Sequence, residues 1–134
     1  MKKKIYIEFI LLILLGFFSS LSLPPFNYVI INFFTFSLFY ILIVRLSLTS
    51  ENKKIFFFYG WLFGFGYFTS NLYWISISLT FEETFKFLIP LAVILVPAFL
   101  ALFYGIVSFL FLILKPKKNL SSFLFFSLIF GMIE

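Results

Sequence analysis

Long apolar runs separated by short polar connectors set the pattern of this chain. The runs cover residues 5–23, 28–48, 55–79, 87–114 and 120–134, each bounded by prolines, charges or small polar residues. A helix crossing a bilayer needs about 20 apolar residues, so the first four runs read as full membrane spans. The fifth, at about 1.5 Å per residue, reaches only about 22 Å of a hydrocarbon core roughly 30 Å thick. It ends on Glu134 and a terminal carboxylate, and such charges are expensive to bury in lipid. That mismatch suggests a chain that was once longer. The predicted fold class is all-α: a polytopic transmembrane helical bundle forming one domain over residues 1–134, with four full spans plus a short fifth helix.

The connectors refine this reading. Pro24 and Pro25 remove two backbone donors and disfavour helix just before them, so residues 24–27 should form a tight turn that makes the first two runs a hairpin. The first run, with Lys2, Lys3 and Lys4 before it and small residues at Ser20-Leu21-Ser22, has the outline of a secretory signal. Its length and the second run close behind it favour a retained helix. Glu8 falls in the first turns, where a carboxylate reaches the interface and suits a helix N-terminus. Pro97 interrupts the fourth run and should kink it; the alternatives are a packing accommodation or a gap through which an acyl chain could enter.

Composition agrees with lipid as the solvent. The chain is 63% hydrophobic with a mean hydropathy of +1.18, where soluble domains average roughly 45–50% apolar. The net charge of +5 does not point to nucleic acid, because the basic residues sit in short clusters between the runs. Lys2–4, Arg45 with Lys53 and Lys54, and Lys115, Lys117 and Lys118 fall on alternate connections, leaving only Lys86 with Glu82 and Glu83 on the others. The positive-inside rule then places the N-terminus in the cytoplasm, with the 24–27 turn and the 81–86 loop outside. Phe is very abundant, at 25 of 134 residues, which fits A/T-rich coding and is no basis for an aromatic binding site.

Candidate chemistry is sparse. With no Cys and no His, thiol nucleophiles, disulfides, imidazole bases and the usual metal ligands are excluded, and no cofactor or metal is expected. Glu82 and Glu83 read as solvated loop charges, with no nucleophile beside them. The glycines at 60–66 lack the Lys-Ser/Thr ending of a phosphate loop. No charge lies deep in a run, which argues against an ion or substrate path.

The third run is the most patterned. Gly60, Gly64, Tyr67, Asn71, Trp74 and Ser78 recur every three or four residues, on one helix face. Gly60 and Gly64 form a small-xxx-small pair that lets another backbone approach. Asn71 should face protein or a cavity and not lipid, and Tyr73 and Trp74 fall where amphipathic rings prefer the interface. Two readings stay open: a plain helix–helix seam, or the mouth of a lipid-accessible cavity lined by Asn71, Tyr73 and Trp74.

Two segments, GFFSSLSLPPFN at 16–27 and GWLFGFGYFTSNLYWISISL at 60–79, together resemble the amino-terminal membrane region of bacterial apolipoprotein N-acyltransferases. The 100–104 region and the last run fit that family's order of segments. The resemblance implies a protein of the bacterial inner membrane involved in lipoprotein maturation, where a phospholipid acyl chain is transferred to the N-terminal diacylglyceryl-cysteine of a lipoprotein. It also implies about eight membrane helices and an external nitrilase-like domain with a Glu-Lys-Cys triad. No residue here can take the Cys role, so no catalytic residue is carried over. The implied partners are membrane phospholipid and a separate chain carrying the remaining helices and the nitrilase-like domain, joined through the third-run seam. The alternative is a non-enzymatic small membrane protein acting as a helix-packing or lipid-binding subunit.

Overall fold

The computed structural model describes residues 2–24, 26–49, 52–73, 77, 80–81, 83–114 and 119–132. Five α-helices occur among them: α1 (Lys2–Ser19), α2 (Val29–Thr49), α3 (Lys53–Asn71), α4 (Ile89–Leu114) and α5 (Asn119–Gly131). Short 3-10 turns, Ser20–Ser22 and Glu83–Leu88, follow α1 and precede α4.

The proline turn forms as the sequence predicts. Leu23 is extended (φ −91°, ψ 163°), the conformation a following proline imposes. The chain reverses through Asn27 N–H to Leu23 O (3.1 Å) and Tyr28 N–H to Leu21 O (3.1 Å). Asn27 takes a left-handed φ of 55°, which Asn tolerates better than most residues. On the opposite side of the bundle Asn52 caps α3, its side chain accepting from the Lys54 N–H at 3.1 Å, as N-cap residues do.

Side-chain contacts give the helix directions. Glu8 lies beside Tyr59 and Ser20 beside Ser70, so α1 and α3 run the same way. Gly60 faces Ser108 and Gly64 faces Ala101, so α4 runs against α3. Phe36 meets Phe130 and Tyr40 meets Phe123, so α5 runs against α2. This up-down alternation gathers Arg45, Lys53 and Lys54 at one end and the proline turn and Lys86 at the other.

Helix α3 is the hub. Gly16 of α1 faces the Phe63 carbonyl of α3, and Gly66 of α3 faces the Ile13 carbonyl of α1; a Cβ at either would overlap backbone. In lipid, helices associate through such close packing and not through expulsion of water. The phenylalanines fill the remaining interior. Phe39 stacks on Phe63 (centroids 4.3 Å apart), and Phe126, Phe130, Tyr104 and Phe111 close the cluster. Each such pair contributes about 0.5–1.5 kcal/mol beyond area burial.

The bounds differ from the sequence expectation in one consequential place. Helix α3 ends at Asn71, where Leu72 leaves helical geometry (φ −98°, ψ 6°); within the expected continuation to 79, Tyr73 and Ile77 are again helical and 74–76 and 78–79 lie outside the described residues. The preceding Thr69-Ser70-Asn71 run supplies three side chains that compete for backbone hydrogen bonds, which favours a helix end. Of the four full spans expected, two helical stretches among the described residues are long and apolar enough to cross a bilayer, Val29–Thr49 and Lys86–Leu114, and most of each is exposed. Their exposed surfaces are mostly aliphatic and aromatic, so lipid is the medium that suits them. Tyr6–Ser22 and Ser121–Gly131 are apolar but shorter, and α3 carries two lysines, two tyrosines and Asn71 along its length.

Candidate functional site

Four of the six singled-out residues share one stripe of α3. Gly60 is buried against α4, where a Cβ would overlap the Tyr104 carbonyl oxygen and the Ser108 Oγ. A Cβ at Gly64 would sit 2.8 Å from Tyr104 Cβ and 3.2 Å from Ala101 Cα. Tyr67 continues the stripe, its ring 5.9 Å from that of Tyr104. Asn71 closes it at the last turn, half-buried, with its Nδ2 shielded and without a hydrogen-bond partner. Tyr73 lies past the helix end and is 60% exposed. Trp74 and Ser78 lie outside the described residues, as do Glu82 and Glu134. Helix α4 already packs against this glycine face.

The same two helices also border a groove of about 780 Å³ lined by Phe57, Phe58, Trp61, Leu95, Phe99 and Leu102. That volume lies within the range of small-molecule sites, roughly 300–1,000 Å³. Trp61 anchors its floor: its indole Nε1–H donates to the Ala98 carbonyl at 3.0 Å, one residue past the buried Pro97. Helix α4 continues through Pro97. The groove does not reach Asn71 or Tyr73.

Sequence reasoning missed three polar contacts. Ser19 Oγ donates to Asn32 Oδ1, tying the end of α1 to α2. The Ser20 and Ser70 hydroxyls bond at 2.6 Å, tying it to α3. Toward the other end the Tyr59 hydroxyl donates to Glu8, with Arg45 in electrostatic range of the same phenol. Of the small residues Ser20-Leu21-Ser22, whose outline suggested a signal cleavage site, Ser20 fastens α1 to α3, while the Ser22 hydroxyl donates to the Ser19 carbonyl. Only the i, i+13, i, i+50 and i, i+51 pairings could have revealed these contacts, and one sequence does not carry that information.

The lining of the groove is apolar apart from the Trp61 indole N–H, which is already bonded. Glu83 pairs with Lys86 at 3.2 Å, both well exposed, and such pairs are worth little. Among the described residues no three His, Cys, Asp or Glu side chains gather as a metal would need.

The chain matches the family model described as apolipoprotein N-acyltransferase N-terminal domain over residues 15–134. It is 40% identical over 97 residues to the apolipoprotein N-acyltransferase of Rhizobium etli, covering 68% of this chain and 18% of that protein. The corresponding protein of Rhizobium rhizogenes is 36% identical over 107 residues, covering 75% and 20%, and that of Brucella melitensis 38% over 103 residues, covering 67% and 18%. The chain thus spans about a fifth of the length of these curated relatives. No solved structure matches significantly.

Proposed function

The chain belongs to the apolipoprotein N-acyltransferase N-terminal domain family, and on that premise we propose that it is the lipid-holding membrane part of an enzyme of lipoprotein maturation. It sits in the bacterial inner membrane as a multi-pass protein with the N-terminus cytoplasmic, a placement supported by the basic residues gathered at one end of the helices. The acyl chain of a phospholipid lies in the α3/α4 groove, with Trp61 as its fixed floor. The acyl-transfer chemistry is done outside residues 1–134, by the remaining helices and the nitrilase-like domain with its Glu-Lys-Cys triad that the family resemblance implies. Residues 1–134 contain no Cys, so a thioester acyl intermediate cannot form on them.

The observation that carries this reading is the groove itself: wholly apolar, open to lipid, and built on the same two helices as the Gly60–Gly64 seam. The test uses a strain depleted of its own acyltransferase and a lipoprotein acceptor, with radiolabelled phospholipid as donor. Residues 1–134 alone should transfer no label. Together with the part of the Rhizobium etli relative that follows the matched segment, they should transfer it, and Trp61→Ala should cut the rate. Full transfer by the relative's part without residues 1–134 would overturn the reading.

A non-enzymatic lipid-binding subunit is the second reading. It is favoured by one observation, that the glycine faces of α1, α3 and α4 are all satisfied within the chain. It requires residues 1–134 to bind phospholipid with no effect on acyl transfer.

A further inference from the structure

The proline-turn end of the bundle carries a layer of polar side chains, and most of them have partners. Ser19 bonds Asn32, Ser20 bonds Ser70, and Ser22 bonds the Ser19 carbonyl. Thr35 bonds the carbonyls of Ile31 and Asn32. Two groups in the last turn of α3 stand apart: Thr69 Oγ1 and Asn71 Nδ2 are shielded and have no hydrogen-bond partner. A threonine in a helix can turn its hydroxyl to the carbonyl three or four residues back, as Thr35 and Thr49 do. Thr69 does not. Such a group is costly in lipid, where no water replaces the missing bond.

Position gives the two groups a use. Trp61, Phe65 and Thr69 recur every four residues on α3, so they share one face. Trp61 lines the α3/α4 groove, and Phe65 stacks on Trp61 with centroids 5.4 Å apart. Thr69 is the next side chain along that face. Gly64 faces Ala101 across the seam, and α4 runs against α3. Asn71 stands about 10 Å beyond Gly64, which makes it level with Ile94, just past the groove lining at Leu95. From the level of Phe57 to that of Leu95 the groove runs about 20 Å. That is room for one acyl chain, since two end to end make up a core of roughly 30 Å. A smaller groove of about 370 Å³ between α2 and α5 has no such pair. Its Ser127 hydroxyl donates to the Phe123 carbonyl, and its Asn32 oxygen accepts from Ser19.

A phospholipid carries its ester carbonyls where acyl chain meets headgroup, and these groups only accept. The Thr69 hydroxyl and the Asn71 amide donate. We propose that Thr69 and Asn71 hold the glycerol ester carbonyls of the phospholipid whose acyl chain lies in the α3/α4 groove. This rests on the proposed function and adds the residues that set the height of the lipid in the groove. Both residues are half-buried, so a turn about χ1 between staggered wells brings each donor to the bundle surface. The site then selects ester-linked over ether-linked chains, because an ether has no carbonyl oxygen.

Trp74→Phe leaves Trp61 as the one indole of the chain, and its quenching by a lipid brominated along the chain reports occupancy of the groove. Residues 1–134 with that change would be titrated in detergent micelles with a brominated diester phosphatidylglycerol. The diether counterpart, identical in headgroup and bromine positions, would be titrated beside it. The diester is expected to bind roughly tenfold more tightly. Asn71→Ala combined with Thr69→Val should bring the diester down to the affinity of the diether and leave the diether unchanged, with helical circular dichroism as in the parent. Equal affinity for the two lipids in the parent, a comparison that needs no variant to fold, would overturn the carbonyl site and leave the acyl groove standing. A diester preference that survives the double substitution would overturn the site as well. Absence of Trp61 quenching by either lipid would overturn both the site and the groove.

Discussion

Gly60→Ala sets two known effects against each other. Alanine is favoured over glycine inside a helix by roughly 1 kcal/mol, so on propensity alone the change stabilises α3. The added methyl, however, overlaps the Tyr104 carbonyl oxygen and the Ser108 Oγ, with Ser108 Cβ only 2.7 Å away. The serine hydroxyl can rotate; the carbonyl belongs to the α4 backbone and cannot. Relief therefore requires α3 and α4 to separate along their seam, loosening the Tyr104 contacts to Phe63 and Tyr67. Overpacking of this kind costs about 1–3 kcal/mol. Because the obstacle is backbone, the cost falls in the upper part of that range, about 2–3 kcal/mol, and the expected net is a loss of about 1–2 kcal/mol, a factor of roughly 5–30 in the folded-to-unfolded ratio. Gly131→Ala is the control, with the same propensity gain and no opposing atom within 4 Å, so it should be neutral or slightly stabilising. Reversible unfolding in mixed detergent micelles, followed by helical circular dichroism, reads both. A Gly60→Ala protein as stable as the parent, or two variants that move together, would refute the seam as the determinant of α3–α4 packing.

Three further outcomes follow from the same contacts. Glu8→Ala leaves the buried Tyr59 hydroxyl without its acceptor and should cost about 1–3 kcal/mol, with Glu8→Gln costing less; unfolding of the two variants in micelles checks this. Ser108→Ala removes a buried hydroxyl that has no partner, so the same unfolding assay should show no loss, and a gain where desolvation of the hydroxyl is fully relieved. Trp61→Phe gives up the bond to Ala98, about 1 kcal/mol, and should remove most of the indole fluorescence that a brominated phospholipid quenches in the parent.

What the sequence made legible was whatever one helix decides locally. The Pro24–Asn27 reversal, the extents of α2 and α4, and the common face of Gly60, Gly64, Tyr67 and Asn71 follow from proline geometry, apolar length and the helical period. Each needs only neighbours within a turn or two. What stayed hidden involves pairs distant in sequence. Nothing local to Ser19 or Glu8 says that Asn32 or Tyr59 will receive it. The end of α3 at Asn71 was hidden for a different reason. The apolar pattern continues through 72–79 and masks the Thr69-Ser70-Asn71 stop, because period and hydropathy outweigh hydroxyl competition when both are read by eye. The phenylalanines, which composition alone explained as coding bias, are also the core.

The two grooves separate by what each rim can satisfy. An acyl chain offers methylenes and no hydrogen-bonding group, so the groove that suits it should be apolar, open to lipid and indifferent to register. The α3/α4 groove has that character, with large side chains around it and its one polar group, the Trp61 indole N–H, already bonded to Ala98. The α2/α5 groove has Ser127 and Gly131 on one wall, with Asn32 and Ser37 opposite. The small and polar residues gather on the α2/α5 rim, where the Ser127 hydroxyl already bonds the Phe123 carbonyl, so of the two the α3/α4 groove has the lining that suits an acyl chain.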